Sequence, residues 1–211
     1  MPNINGTSIS DAEFTAMQEL ATAFICERAF KDNKRFGSPN DIIKDSKTKL
    51  GLEKIFKKGN KQIFTFSLPI QTKTPEDKWL NTFYLQQKTL LSEFSDANFT
   101  VFNREGGFMQ FITDLISSKF GVSRKDAWNP ADIWLIRYPM VYRKKILNEL
   151  KGPSGTQTIR ELNSVLRVMF NQRHVVGISL KLISGKQAQY EEINVEEDFF
   201  KHLESGEYDF K

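Results

Sequence analysis

A chain of 211 residues, 39% hydrophobic and 27% charged, is composed like an ordinary globular protein, with apolar material for one well-packed domain or a domain plus a small appendage. Its net charge of +4 permits a polyanionic partner without demanding one. The single cysteine, Cys26, excludes an internal disulfide, and no apolar run approaches the length of a membrane span. Its N-terminus lacks the basic and apolar segments of a secretory signal, so the expected setting is cytoplasmic, with no membrane partner. The eighteen phenylalanines recur mostly at helical spacing, which assigns them to core packing rather than base stacking.

Along the chain, residues 1–9 read as a polar tail. Ser10 and Glu13 then form a capping-box signature for a helix ending near Lys31, with Phe14, Met17, Leu20, Ala21, Phe24 and Ile25 on its apolar stripe. Ser38-Pro39-Asn40-Asp41 opens a second helical stretch near 40–56, and Gln62–Ile70 is read as a strand. Between them, the basic run from Lys54 to Lys61 reads as a solvated loop in preference to a phosphate clamp. Thr74-Pro75-Glu76-Asp77 starts a strong helix that ends by Ser95. Asn98–Asn103 alternates as a strand, Gly106-Gly107 breaks it, and Phe108, Phe111, Ile112, Leu115, Ile116 and Phe120 stripe the next helix.

Asp132–Tyr138 is short, apolar and aromatic, as a buried strand is. Helices at about 140–150 and 157–172 follow, separated by the breaker Lys151-Gly152-Pro153-Ser154-Gly155. Val175–Ile183 is the strongest strand signal, with Ala188–Val195 as its partner and Glu196–Glu204 as a closing helix. The fold class expected is mixed α/β (α+β). It has a mainly helical N-terminal region, 1–97, packed on a core, 98–211, that carries a two-helix insertion at about 140–172.

Two segments place polar groups within apolar strands: Trp128-Asn129-Pro130-Ala131-Asp132-Ile133-Trp134 and Val176-Gly177-Ile178-Ser179-Leu180-Lys181. Strand alternation sends Ile178 and Leu180 to one face and Ser179 and Lys181 to the other. A lysine within a core strand is costly unless it is paired or functional. An Asp and a Lys on neighbouring strands suit phosphodiester hydrolysis. The carboxylate can hold a hard cation such as Mg²⁺ (or Mn²⁺), and the ammonium can stabilise charge at phosphorus. His174 and His202, with one cysteine, make no zinc cluster and read as surface residues.

Pro-Ala-Asp leading into an apolar strand, followed by Ile-Ser-Leu-Lys, resembles the PD-(D/E)xK nuclease superfamily of restriction-endonuclease-like proteins. With Gln-Tyr-Glu-Glu-Ile-Asn downstream, it looks most like uncharacterised bacteriophage-encoded members, which would place it in a bacterial host's cytoplasm. The resemblance covers residues 98–195. It implies a mixed central sheet flanked by helices and metal-dependent cleavage of nucleic acid, DNA first, with a homodimer compatible with cutting two strands. Asp132 matches the motif's Asp and Lys181 its Lys, while Ser179 occupies the position of the second acid.

That departure calls for another carboxylate at the metal. Glu105 is the candidate and Asp114 the fallback, although either could instead be a helix-dipole partner or an exposed face residue. Gln189 could touch phosphate or base, or simply face solvent. The insertion's cations, among them Arg143, Lys144, Lys145, Arg160, Arg167 and Arg173, fit phosphate contact or a solvated helix equally well. Two further readings stay open. One is a catalytically inactive nuclease-fold protein serving as a DNA-binding, virion-structural or host-interaction protein. The other is a regulatory partner that binds another protein through the helical N-terminal region.

Overall fold

The computed structural model describes residues 3–4, 7–71, 74–104, 106–121, 131–151, 158–181 and 183, with side chains from residue 8 onward. Two short strands, β1 (Asn3–Ile4) and β2 (Thr7–Ser8), pair as a hairpin ahead of helix α1, Asp11–Phe30. The Ser10 side chain accepts from the Glu13 N–H and the Glu13 carboxylate takes the Ser10 N–H, so the capping box forms as the sequence predicts. The 40–56 stretch is two helices, α2 (Pro39–Lys44) and α3 (Ser46–Ile55). The divide falls at Asp45, whose carboxylate caps α3 by accepting from the Thr48 N–H at 2.9 Å.

The strand expected over Gln62–Ile70 does not extend. Only β3 (Lys57–Lys58) and β4 (Lys61–Gln62) pair, around a turn at Gly59 whose φ of +58° suits glycine. Beyond it, Ile63, Phe64 and Phe66 drop into the core. The Gln62 side-chain amide lies within hydrogen-bond distance of the carbonyls of Glu53, Phe56 and Phe64. The side chain thus ties the last turn of α3 to the segment after β4 and serves carbonyls that the helix end leaves open. Within the Lys54–Lys61 run, Lys58 pairs with Glu13 at 2.9 Å.

Helix α4, Pro75–Glu93, is capped by Thr74 as predicted. Then come β5 (Val101–Asn103), α5 (Gly107–Phe120), β6 (Ile133–Ile136), α6 (Pro139–Glu149), α7 (Ile159–Asn171) and β7 (Val175–Ile178). Strands β5, β6 and β7 form one antiparallel sheet with β6 in the middle. This is a mixed α+β arrangement. The strand at Ala188–Val195, the helix at Glu196–Glu204, the 151–155 breaker apart from Lys151, and residues Gln189 and His202 lie outside the described residues.

All four residues of β6 are buried, and they alternate between two cores. Ile133 and Leu135 join Ala23 and Cys26 of α1, Leu90 of α4, and Val176 of β7. Trp134 and Ile136 face Phe108 and Ile112 of α5, Tyr142 and Ile146 of α6, and Leu162 and Met169 of α7. The N-terminal helices therefore pack on one face of the sheet, and the 140–172 helices with α5 cover the other. A third cluster, rich in phenylalanine, fills the space among α1, α2, α3 and α4. Rings of Phe56 and Phe64 stack at 4.8 Å, and the Phe14 ring meets Phe64 edge-on, which confirms the packing role for these rings.

Two outcomes follow from the doubly covered strand. Ile133→Ala, at a fully buried position, should lower unfolding free energy by roughly 2–5 kcal/mol in denaturant titration. Met140→Ala, on the exposed side of α6, should stay within about 0.5 kcal/mol. Burial also pushes the Cys26 thiol up to about 12. Alkylation of Cys26 near neutral pH should therefore proceed only as fast as the α1–sheet core opens, and faster in Ile133→Ala.

Candidate functional site

Asp132 stands one residue before β6, beside the point where β7 ends. Its N–H donates to the Ile178 carbonyl at 2.8 Å, continuing the β6–β7 ladder one residue further. Its carboxylate then does what a strand would do next. Oδ2 accepts the Leu180 N–H at 2.5 Å and lies 3.3 Å from the Ser179 hydroxyl, which donates to it. The sequence-predicted pair Asp132 and Ser179 is thus brought together.

The strand expected to run to Ile183 leaves the ladder after Ile178. The pairing stops because Asp132 takes the Leu180 N–H with its side chain and α4 takes the following backbone. Gln86 Nε2 donates to the Lys181 carbonyl at 3.1 Å, and Thr82 Oγ1 accepts the Ile183 N–H at 3.3 Å. Gln86 is in turn fixed from α1, since Thr22 donates to Gln86 Oε1 at 2.9 Å. The face alternation survives the change of partner. Ile178 and Leu180 pack into the core shared with α1 and α4, whereas Ser179 and Lys181 are exposed. Lys181 is therefore no lysine inside a core strand. Its ammonium pairs with no described carboxylate, Asp132 included, and it stands one alternation beyond Ser179.

Gly177 makes this junction possible. It lies opposite Trp134, and a Cβ there would meet the Ala131 methyl at 2.9 Å and the Trp134 ring at 3.4 Å. The turn into β6 and the indole both use the space a side chain would fill.

Glu105 lies outside the described residues. Asp114 lines a groove of about 520 Å³ between α5 and α6, together with Gly107, Gln110, Phe111 and Arg143. There it accepts from Gln110 Nε2 at 2.7 Å and forms no hydrogen bond with Asp132 or Ser179. Among the described residues, no group of three His, Cys, Asp or Glu side chains comes together as a metal site would. Asp132 with the Ser179 hydroxyl remains an all-oxygen donor pair, the kind that Mg²⁺ accepts with one or two carboxylates and substrate phosphates completing its shell.

Sequence reasoning missed two features. Gln86 and Thr82, buried polar residues of α4, hold the backbone at Lys181 and Ile183. Only their burial identifies them. At the other end of β6, His174 is not a surface residue: it is half-buried and its ring stacks on Tyr142 at 5.0 Å. Burial, and then the charges of Arg137 and Lys145, hold its imidazole below the usual range. No family model matches the chain, and no curated protein or solved structure matches it.

Among the described residues, no helix is long and apolar enough to cross a membrane. Asp132→Ala would leave the Leu180 N–H without its acceptor. It should cost roughly 1–3 kcal/mol and accelerate hydrogen exchange at the Leu180 amide. Asp132→Asn, which keeps a carbonyl acceptor, should restore most of that protection.

Proposed function

We propose that the chain is a metal-dependent nuclease that hydrolyses phosphodiester bonds in DNA, with Asp132, Ser179 and Lys181 as its reactive edge. The observation that carries this reading is the hydrogen-bonded contact of Asp132 with Ser179 where β6 meets β7, with Lys181 next on the same side of the chain. Asp132 and Lys181 match motif residues of the superfamily that the sequence resembles, Ser179 stands where its second acid would, and a superfamily member of phage origin is the source we favour. The restriction-endonuclease-like core belongs to this proposal as well.

Asp132, with Glu105 as the second carboxylate and the Ser179 oxygen beside it, would hold Mg²⁺ or Mn²⁺. When bound, the metal supplies a more acidic water and a polarised phosphoryl oxygen. The chain's own residues do the rest. The backbone clip at Leu180 fixes the Asp132 carboxylate in one orientation. Gln86 and Thr82 pin the backbone at Lys181 and Ile183, from which the exposed Lys181 side chain extends. As water adds to phosphorus and the P–O bond to the leaving oxygen breaks, negative charge grows on the phosphoryl oxygens. The Lys181 ammonium, on the same side of the chain as Ser179, would stabilise that charge.

A second reading has its own observation. Asp132 Oδ2 already serves two donors, which is a sufficient structural use for the residue. The same fold could then bind DNA without cutting it, as a virion or host-interaction component.

One assay separates the two. Purified chain is incubated with supercoiled, linear and single-stranded DNA and Mg²⁺ or Mn²⁺, beside Asp132→Asn and Lys181→Ala. The nuclease reading expects metal-dependent cleavage that each substitution lowers by about a hundredfold or more, the scale of losing a group that stabilises the transition state. Absence of cleavage on every substrate by a folded wild-type chain sinks it in favour of the binding protein.

A further inference from the structure

The end of β6 away from Asp132 carries a second, unassigned surface. Arg137 follows the last strand residue, and its guanidinium lies over the Tyr138 ring at 5.0 Å. Tyr138 tilts against Tyr142 at 6.5 Å, and Tyr142 stacks on His174. The Arg137 N–H donates to the His174 carbonyl at 2.9 Å, so these rings and the guanidinium belong to one unit built where β6 ends and β7 begins.

Three properties of this unit bear on what it can bind. The ring at its rim is open: Tyr138 is 49% exposed, and Met140 and Val141 on the first turn of α6 are 72% and 59% exposed. Its cations are uncompensated. On the N-terminal side, Arg28, Lys58 and Arg104 are each paired with a carboxylate, whereas Arg137, Lys144, Lys145 and Arg173 pair with none among the described residues. Finally, the positive field reaches inward. Arg137 and Lys145 both act on the His174 ring, whose imidazole burial already holds below its usual range.

We propose that Arg137, Tyr138 and Lys145 form a platform for single-stranded nucleic acid, with unpaired bases on Tyr138 and phosphates on the two cations. An open aromatic ring joined to free cations matches the two parts of a single strand, a π-face and a backbone charge. A duplex hides its base faces and would use the cations alone. The platform deepens the nuclease reading by naming the substrate form, and it rests on that reading only for the word substrate. Asp132 and Arg137 are five residues apart along the strand, roughly 17 Å at the strand's rise. They stand at opposite ends of a strand covered on both faces, so the platform is a binding surface separate from the Asp132 edge.

The test reads binding without metal, so it is independent of cleavage. Fluorescein-labelled oligothymidylate is titrated with the full chain in EDTA, beside a duplex of equal length and vesicles rich in anionic lipid. The expected result is preference for the single strand, about tenfold weaker binding for Tyr138→Ala and near wild-type binding for Tyr138→Phe. Lys145→Gln should lower the slope of log affinity against log salt by about one. Unchanged melting of each variant shows that the fold is retained. Equal or tighter binding of duplex, binding to vesicles in place of the oligonucleotide, or an affinity indifferent to Tyr138→Ala overturns the platform. Loss of Asp132-dependent cleavage with Tyr138-dependent binding intact would instead overturn the nuclease and leave the platform standing.

Discussion

Four consecutive buried residues, Ile133 to Ile136, set the terms for this molecule. A strand with one wet face alternates apolar and polar residues, but β6 has no polar position to turn outward. It must be covered on both sides, and only helices from both ends of the chain can do that. Alpha helices 1 and 4 supply one cover, and α5 with the 140–172 pair supplies the other. The N-terminal region is thus a wall of the same core that the sheet occupies, and the insertion is the opposite wall.

Such a strand has chemistry only at its ends, where the helical cover stops. At one end, backbone polar groups lose their ladder partners and need others. Asp132 takes the Leu180 N–H, Gln86 donates to the Lys181 carbonyl, and Thr82 accepts from Ile183. These bonds solve a satisfaction problem first. Their consequence is that Ser179, bonded to the Asp132 carboxylate, and Lys181 lie on the exposed side of a fixed stretch of backbone.

At the other end, the solution is aromatic and cationic. Tyr142 and His174 close the core, and Arg137 with Tyr138 continue the stack into solvent. The charge distribution follows the same division. Carboxylates compensate many of the cations around α1 and α3, among them Arg28, Lys47, Lys49 and Lys58, whereas Arg137, Lys144 and Lys145 pair with none among the described residues. A modest net charge of +4 therefore understates the local field.

Much of the local architecture was legible because it is written in neighbouring residues. The Ser10 and Thr74 caps, the apolar stripe of α5 and the buried β6 depend on contacts within a few positions. Face alternation likewise separated Ile178 and Leu180 from Ser179 and Lys181. The misread strands, Gln62–Ile70 and the tail of Val175–Ile183, fail for one reason. A strand exists only when another backbone completes its ladder; here Ile63, Phe64 and Phe66 turn into the core after β4, and the Asp132, Gln86 and Thr82 side chains take the bonds beyond β7. Sequence by itself determined the helix starts, the central buried strand and the polar residues at its edge. Tertiary structure decided that Asp132 meets Ser179, that α4 holds the Lys181 backbone, and that Arg137, Tyr138, Tyr142 and His174 form one unit. Those contacts join residues far apart in the chain, and packing selects them after local preferences have been spent.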